Sequence, residues 1–482
     1  MQPVISSAQI RQIDQLTVQE FDTPSLLLME SAANACLCSI ASHFADGLGE
    51  KKALVLCGPG NNGGDGAALA RGLANVGVHA DVVLFGTLEG TKADARTNFE
   101  VVKSLASFEA GSTLRPAALS FFECETVSAW EELARPRHTY DIIVDALFGT
   151  GLTRPLEGLF LQVVQHLAMI RGARERSSSA RPLIVSIDIP SGLNADLDEP
   201  IGEAVQADLT VTFTAAKPAN VLPPASHLCG ELVVADIGSP ASLLQRTASH
   251  LFITEESDAR AWLQETRYSP DSYKNTHGHV LVVAGSRGYT GAAALCGNAA
   301  MRSGAGLVTI ATPASAQGSV ATQSMAEVMT TALAETDRGA VSDAAIDHVS
   351  SLAAKASVLA VGPGLSAEDE RTRAFVKNAV LLRTTPVVLD ADALNCLAPW
   401  PADLQGNKNA PLILTPHPGE MLRLLGETDR AAISDRVAAV RAFATKHELI
   451  LVLKGSRSLV GSPDGRVFVN PTGNAGLGTA GA

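Results

Sequence analysis

The sequence runs to 482 residues, 46% hydrophobic, 18% charged and 4% aromatic, with a net charge of -13. That length suits two or three domains, the composition excludes a disordered chain, and acidity without a Lys/Arg block excludes nucleic acid as the main partner. No apolar run approaches membrane-spanning length and no secretory leader pattern opens the chain, while seven cysteines (Cys36, Cys38, Cys57, Cys124, Cys229, Cys296, Cys396) include no C-x-x-C pair, so the expectation is a cytoplasmic protein with reduced thiols.

Helical spacing places Ile10, Ile13, Leu16 and Val18 on one face, and residues 26–35 repeat the pattern. The apolar run 53–57 then feeds Gly58-Pro59-Gly60-Asn61-Asn62-Gly63-Gly64-Asp65-Gly66, followed by the helix-like Ala67-Ala68-Leu69-Ala70-Arg71. In an open parallel sheet such strand–loop–helix turns line the crevice where ligands bind. Glycines let the backbone approach a ligand, and a helix start offers free N–H groups to an anion. Gly58, Gly60 and Gly63 satisfy G-x-G-x-x-G, but the next strand, 81–85, carries its acid at the wrong end to hold a ribose. Gly64-Asp65 also stands where a P-loop has its lysine. Five glycines in nine residues, beside two amides and a carboxylate, exceed what a bare turn needs. The loop is therefore expected to bind a ligand.

Further apolar runs at 80–85, 141–147, 183–189 and 209–214, separated by helices, predict a buried parallel sheet. Residues 171–181, with four arginines, read as a solvated loop insertion. Asp145 and Asp188 each close a strand. Singly, a strand-terminal Asp serves as well to cap the next helix; three polar loops at parallel strand ends point to a site. Asn62, Asp145 and Ser191 offer oxygens suited to a hard cation. Asp188, between an apolar strand expected to raise its pKa and a proline, is the candidate general acid/base. The glycine loop and residues 149–155 suit phosphates and sugar.

Asp236-Ile237-Gly238-Ser239-Pro240 ends this alternation, which places a domain boundary near residue 245. The second half restarts with a strand at 279–284, a glycine-bearing loop at 285–291 and a helix from Ala292.

GPGNNGGDG, VDALFGTGL, DIPSGL and Leu28-Met29-Glu30-Ser31-Ala32-Ala33, with Ala207–Phe213 and Lys217-Pro218 further on, resemble the NAD(P)H-hydrate epimerase family across the whole first domain. The resemblance implies that Asn61, Asn62, Gly63, Gly64, Asp65, Gly149, Thr150, Gly151, Leu152, Thr153, Arg154, Pro155 and Asp188 bind the hydrated dinucleotide. It further implies potassium at Asn62, Asp145 and Ser191, a homo-oligomer, and a reaction that interconverts the R and S hydrates with Asp188 as proton carrier.

The second half is similar to the matching ADP- or ATP-dependent dehydratase through Lys274–Val283, Val361–Leu365, VLDADALN, LTPHPGEM, Lys454-Gly455-Ser456 and Asn470–Asn474. By that resemblance Ala293, Gly364 and His417 contact substrate. Lys454, Gly455, Ser456, Arg457 and Ser458 line the nucleotide, brought with Mg2+. The expected fold is α/β: a Rossmann-like three-layer α/β/α sandwich over 1–245 and a ribokinase-like domain over 246–482. Two other readings of the second half remain, a small-molecule kinase and a non-catalytic nucleotide-binding module. The family pattern runs on through a Gly-x-Gly-Asp whose Asp is the expected base. This sequence closes on Gly478-Thr479-Ala480-Gly481-Ala482, so a truncated, inactive dehydratase is expected.

Overall fold

The computed structural model describes residues 1–110, 118–134, 140–174 and 182–479. The chain divides into one unit spanning Gln2–Ser249 and a second comprising Met1 and His250–Ala482.

In the first unit seven parallel strands, β1 (Lys52–Cys57), β2 (His79–Phe85), β3 (Leu119–Cys124), β4 (Ile142–Ala146), β5 (Leu183–Ile187), β6 (Leu209–Phe213) and β7 (Glu231–Ala235), lie in the order β3-β2-β1-β4-β5-β6-β7. Side chains alternate across a strand, so both faces of β1 are used. Ala53, Val55 and Cys57 enter one core with Leu28, Cys36 and Leu69, whereas Leu54 and Leu56 enter the other with Trp130, Val163 and Leu167. Helices α1 (Ser7–Phe21), α2 (Ser25–Ala41) and α3 (Asn61–Asn75) are amphipathic or small-residue helices of this unit, and α4 (Gly158–Arg174) covers the second core. The three-layer α/β/α sandwich and the buried parallel sheet are as expected. The strand order reverses beside β1, which puts a crevice at the carboxyl ends of β1 and β4.

Three local expectations need correction. Helix α3 begins at Asn61, not near Ala67: Gly60 is its N-cap and Gly64 N already bonds Gly60 O at 3.1 Å. Poor helix formers are tolerated there because packing decides against intrinsic propensity. On α1, Val18 is exposed and Thr17 is buried, its hydroxyl donating to Ile13 O at 2.8 Å. Residues Arg171–Arg174 end α4 rather than opening a loop, and Arg171 pairs with Asp208 at 2.8 Å; residues 175–181 lie outside the described residues.

Strands of the second unit follow one another in space as Leu251–Ile253, Val467–Val469, Leu459–Gly461, Ile450–Leu453, Leu412–Leu414, Val387–Leu389, Val358–Val361, His279–Val283, Leu307–Pro313 and Met329–Leu333. Among the described residues of this sheet, only Leu459–Gly461 runs antiparallel to its neighbours. The order reverses at His279–Val283, so its second crevice opens after Val283 and Val361. Among the described residues, no helix is long and apolar enough to cross a membrane.

Candidate functional site

Register builds the first-unit site. Asp145 on β4 lies beside Leu56 of β1 and beside Ser186 of β5. Asp145 is fully buried, and its oxygens accept from Ser191 Oγ (2.6 Å), Ser186 Oγ (2.8 Å), Ser191 N (2.9 Å) and Leu147 N (3.4 Å). Burial pushes its carboxyl up even against these donors. All four donors are neutral, and no ion pair to Asp145 occurs among the described residues. A buried carboxylate without a cationic partner is costly, and the oxygens of Asp145 and Ser191, 2.6 Å apart, are of a kind that suits a hard cation. Asn62 Nδ2 is a buried donor without a hydrogen-bond partner, so its position calls for an acceptor. Among the described residues no group of three or more His, Cys, Asp or Glu is placed to hold a metal ion.

Asp188 sits just past β5, 9% exposed, at a backbone φ of 68°. Its surroundings differ from the apolar ones expected. Lys217, which is fully buried, donates from Nζ to Asp188 Oδ1 at 2.6 Å, to Thr212 Oγ1 at 2.8 Å and to Phe213 O at 3.1 Å, which uses all three ammonium hydrogens. Thr212 Oγ1 also donates to Asp188 Oδ1 at 3.0 Å. The second oxygen, Oδ2, faces Gly149: a Cβ on Gly149 would stand 3.2 Å from it and 3.0 Å from Asn62 Oδ1. The absent side chain is thus the space shared by Asn62 and Asp188. A carboxylate fixed by one oxygen, with the other turned to an open crevice, can take and return a proton.

The remaining first-unit residues separate into two groups. Asn61 and Asn62 open α3, Gly63 and Gly64 are buried in its first turn, and Asp65 is partly exposed. Burial, with Asp188 and Asp14 adding, pushes the Asp65 carboxyl well up. Thr150 is half-buried, and Gly151, Thr153, Arg154 and Pro155 are exposed along the crevice loop. Leu152 instead points into the second core. Sequence reasoning did not assign Lys217, Thr212, Ser186 or Asp14 to the site. The signal for Lys217 was a lone lysine between an apolar strand and Pro218.

In the second unit Gly364 O accepts from Ser286 Oγ at 2.8 Å. Ala293 is fully buried within the core, so its side chain is out of a ligand's reach. His417 caps the helix Pro418–Leu425: Nδ1 accepts from Gly419 N at 3.0 Å, and Glu420 Oε2 accepts from His417 N at 2.8 Å, while the ring stays half-exposed. Lys454 Nζ donates to Asp390 Oδ1 at 2.6 Å. Past it, Gly455 O accepts from Ser458 Oγ at 3.2 Å, Ser456 O accepts from Arg436 at 3.3 Å, and Arg457 takes a φ of 55°. Ser286 and Tyr289 border a cleft of about 930 Å³ that also receives Arg287, Arg338, Arg373 and Arg423. Arg423 is oriented by Asn395 Oδ1 at 2.9 Å. The same lining carries Glu368, Asp392 and Glu427, with Arg338 paired to Glu368 at 3.5 Å, so four guanidiniums stand there against three carboxylates, a feature the motifs did not reveal. Gly478 and Thr479 are described, and Ala480, Gly481 and Ala482 lie outside the described residues.

Comparison with known proteins agrees with both halves. Residues 25–219 match the family model described as YjeF-related protein N-terminus, and residues 280–482 match that of NAD(P)H-hydrate dehydratase. The bifunctional NAD(P)H-hydrate repair enzyme of Moorella thermoacetica is 38% identical over 479 residues, which cover 99% of this chain and 85% of that protein. The enzyme of the same name from Salinibacter ruber is 35% identical (99% and 85% covered), and that of Thermofilum pendens 34% (98% and 84%). A solved ADP/ATP-dependent NAD(P)H-hydrate dehydratase from Bacillus subtilis, co-crystallised with ATP/Mg2+, is 29% identical with a TM-score of 0.38, covering 45% of this chain and 71% of that one. With its two α/β units, its paired strand-end carboxylates and relatives that match 98–99% of its own length, this chain belongs to the family of bifunctional NAD(P)H-hydrate repair enzymes.

Proposed function

We propose that the first unit epimerises the R and S hydrates of NADH and NADPH, and that the second, in a chain that runs on through the Gly-x-Gly-Asp pattern, returns the S hydrate to the reduced dinucleotide at the expense of ADP or ATP. The observation that carries the first half is Asp188, held through Oδ1 by Lys217 and turned through Oδ2 to the space between Gly149 and Asn62. The hydrated ring carbon bears a hydroxyl and is bonded to the ring nitrogen, so it is a hemiaminal. Asp188 takes the hydroxyl proton as the carbon–nitrogen bond breaks to an aldehyde, and the proton passes to the nitrogen. Reclosure on the other face reverses both transfers and inverts the carbon. Asn61 to Asp65 and Gly149 to Pro155 hold the dinucleotide. Potassium, where bound by Asn62, Asp145 and Ser191, supplies positive charge beside the negative phosphates.

Replacement Asp188→Asn keeps the hydrogen-bonding shape and removes the proton acceptor. Epimerisation is expected to drop about a thousandfold, towards the spontaneous rate. Chiral separation of the two hydrates over time measures it, and full activity in the variant would refute the assignment.

In the second unit the nucleotide, with Mg2+, lies against Lys454 to Ser458, where lysine and backbone N–H groups suit phosphate. Phosphoryl transfer to the hydroxyl makes it a leaving group. Gly364 and His417 face the hydrate, and the arginine-bearing cleft takes its own phosphates. Removal of one charged hydrogen bond in Arg423→Ala is expected to weaken hydrate binding about tenfold. Equilibrium titration of the full chain with the S hydrate of NADPH checks this, and unchanged affinity would place the phosphates elsewhere. ADP-dependent recovery of the reduced chromophore tests the dehydration itself. The free thiols suit the reducing cytoplasm, and we place a homo-oligomer there.

A further inference from the structure

Helix α1 precedes residue 25, where the matched segment of the first family model starts, yet it brings a carboxyl to the epimerase site. The helix is fixed at its start, where Asp196 accepts from Ser7 N at 2.6 Å and from Ser7 Oγ at 2.7 Å. Just before it, Ile5 N bonds Ala216 O at 3.0 Å, and Ile10 and Ile13 share a buried cluster with Ala215. Ala215 and Ala216 lead directly into Lys217, so α1 is clamped to the segment that delivers the buried ammonium. Asp14 follows Ile13. Its Oδ1 is buried with no hydrogen-bond partner.

The charges around this point do not balance. Lys217 acts electrostatically on both Asp188 and Asp14, but its three hydrogens are all placed on Asp188, Thr212 and Phe213. Asp14 is only partly exposed, and its Oδ1 finds no hydrogen bond to compensate for lost water. Burial, with Asp188 adding and Lys217 opposing, accordingly pushes the Asp14 carboxyl up to about 6. Asp65 is pushed up by burial, Asp188 and Asp14, and the buried Cys36 thiol by burial, Asp65 and Asp188. These are the titratable groups that face the cluster from α1, α2 and α3.

We infer that Asp14 is a positioning residue of the epimerase site: it stores a proton beside the Lys217–Asp188 pair and, on losing it, loosens the ammonium's hold on Asp188. The inference rests on the epimerase reading of this unit. With Asp14 neutral, the ammonium serves Asp188 alone. With Asp14 ionised, two carboxylates draw on one cation, and Asp188 accepts the hydroxyl proton of the hydrate more readily. Asp14 never touches substrate in this scheme.

The test is the pH dependence of epimerisation of the R hydrate of NADH by the full chain in potassium buffer, from about pH 5 to about pH 8, with the enzyme-free rate subtracted. Wild type is expected to gain about tenfold in kcat, with KM unchanged, through a step centred near the Asp14 ionisation at about 6. Asp14→Asn is expected to stay at the low-pH level throughout, and Asp14→Glu to keep a step at a displaced pH. A wild-type step that survives in Asp14→Asn overturns the inference, as does an active wild type with no step. Should Asp14→Asn fail to fold, an undisplaced step in Asp14→Glu overturns it equally. Wild type that epimerises at no pH overturns the epimerase reading and this inference together, an outcome distinct from the others.

Discussion

Lys217→Met is expected to abolish epimerisation and to destabilise the first unit by about 3–5 kcal/mol, the usual cost of leaving one member of a buried ion pair alone. The Asp188 side chain is 13% exposed and that of Lys217 0%, so water screens little of the loss. Asp188 would keep Thr212 as its hydrogen-bond donor but lose the charge opposite it. Removing both charges in Lys217→Met with Asp188→Asn is expected to recover most of the stability and none of the activity, because a buried pair contributes little net stability over neutral partners. Urea unfolding of the two variants, with hydrate interconversion measured on the same samples, separates the effects. Equal stability of the single and double variants would show that the pair is not electrostatically coupled.

Gly63→Ala is the second large effect. A Cβ at Gly63 would stand 1.8 Å from Gly58 O and 2.8 Å from its carbonyl carbon, and both are backbone atoms with nowhere to turn. The first turn of α3 and the loop after β1 must then separate, at a cost of about 3 kcal/mol. Because Asn62 is the preceding residue, its amide moves too, and a displacement of ~1 Å at a reacting site can cost about a hundredfold in rate. Thermal unfolding and epimerisation should both report the change. At the exposed Gly49 a Cβ meets nothing within 4 Å, so Gly49→Ala serves as the stability control and should unfold like wild type. A Gly63→Ala chain with wild-type stability would show that the close approach is not enforced.

The two cases also mark what the sequence could disclose. Asp145, Ser191 and Asp188 were legible because apolar strands end at them, and a parallel sheet gathers its strand ends along one edge. Gly63 was legible as part of a glycine run in excess of a turn. The start of α3 was not, since Asn and Gly favour a loop by propensity while the packing of Gly64 and Gly66 against neighbouring side chains makes the helix. Lys217 reaches Asp188 from 29 residues away and Asp14 from a separate helix, and neither distance follows from composition or period. Pairing across the fold decided the charge at the site. The arginine cleft was hidden for the same reason: Arg287, Arg338, Arg373 and Arg423 are scattered in the chain and meet only in the folded second unit.

The backbone of Asp188 carries a consequence for how this protein can change. A φ of 68° is a conformation that costs a residue with a side chain about 1 kcal/mol and glycine almost nothing. The same residue also obliges the interior to accommodate an ammonium. Two separate burdens on thermostability therefore meet at one position, and on the proposed mechanism both serve to present a single oxygen to the hydrate. Selection for heat resistance alone pulls this position away from aspartate, whereas selection for turnover holds it there. Durability and repair activity are opposed at Asp188, and a lineage that keeps the carboxylate must find its added robustness elsewhere in the sandwich.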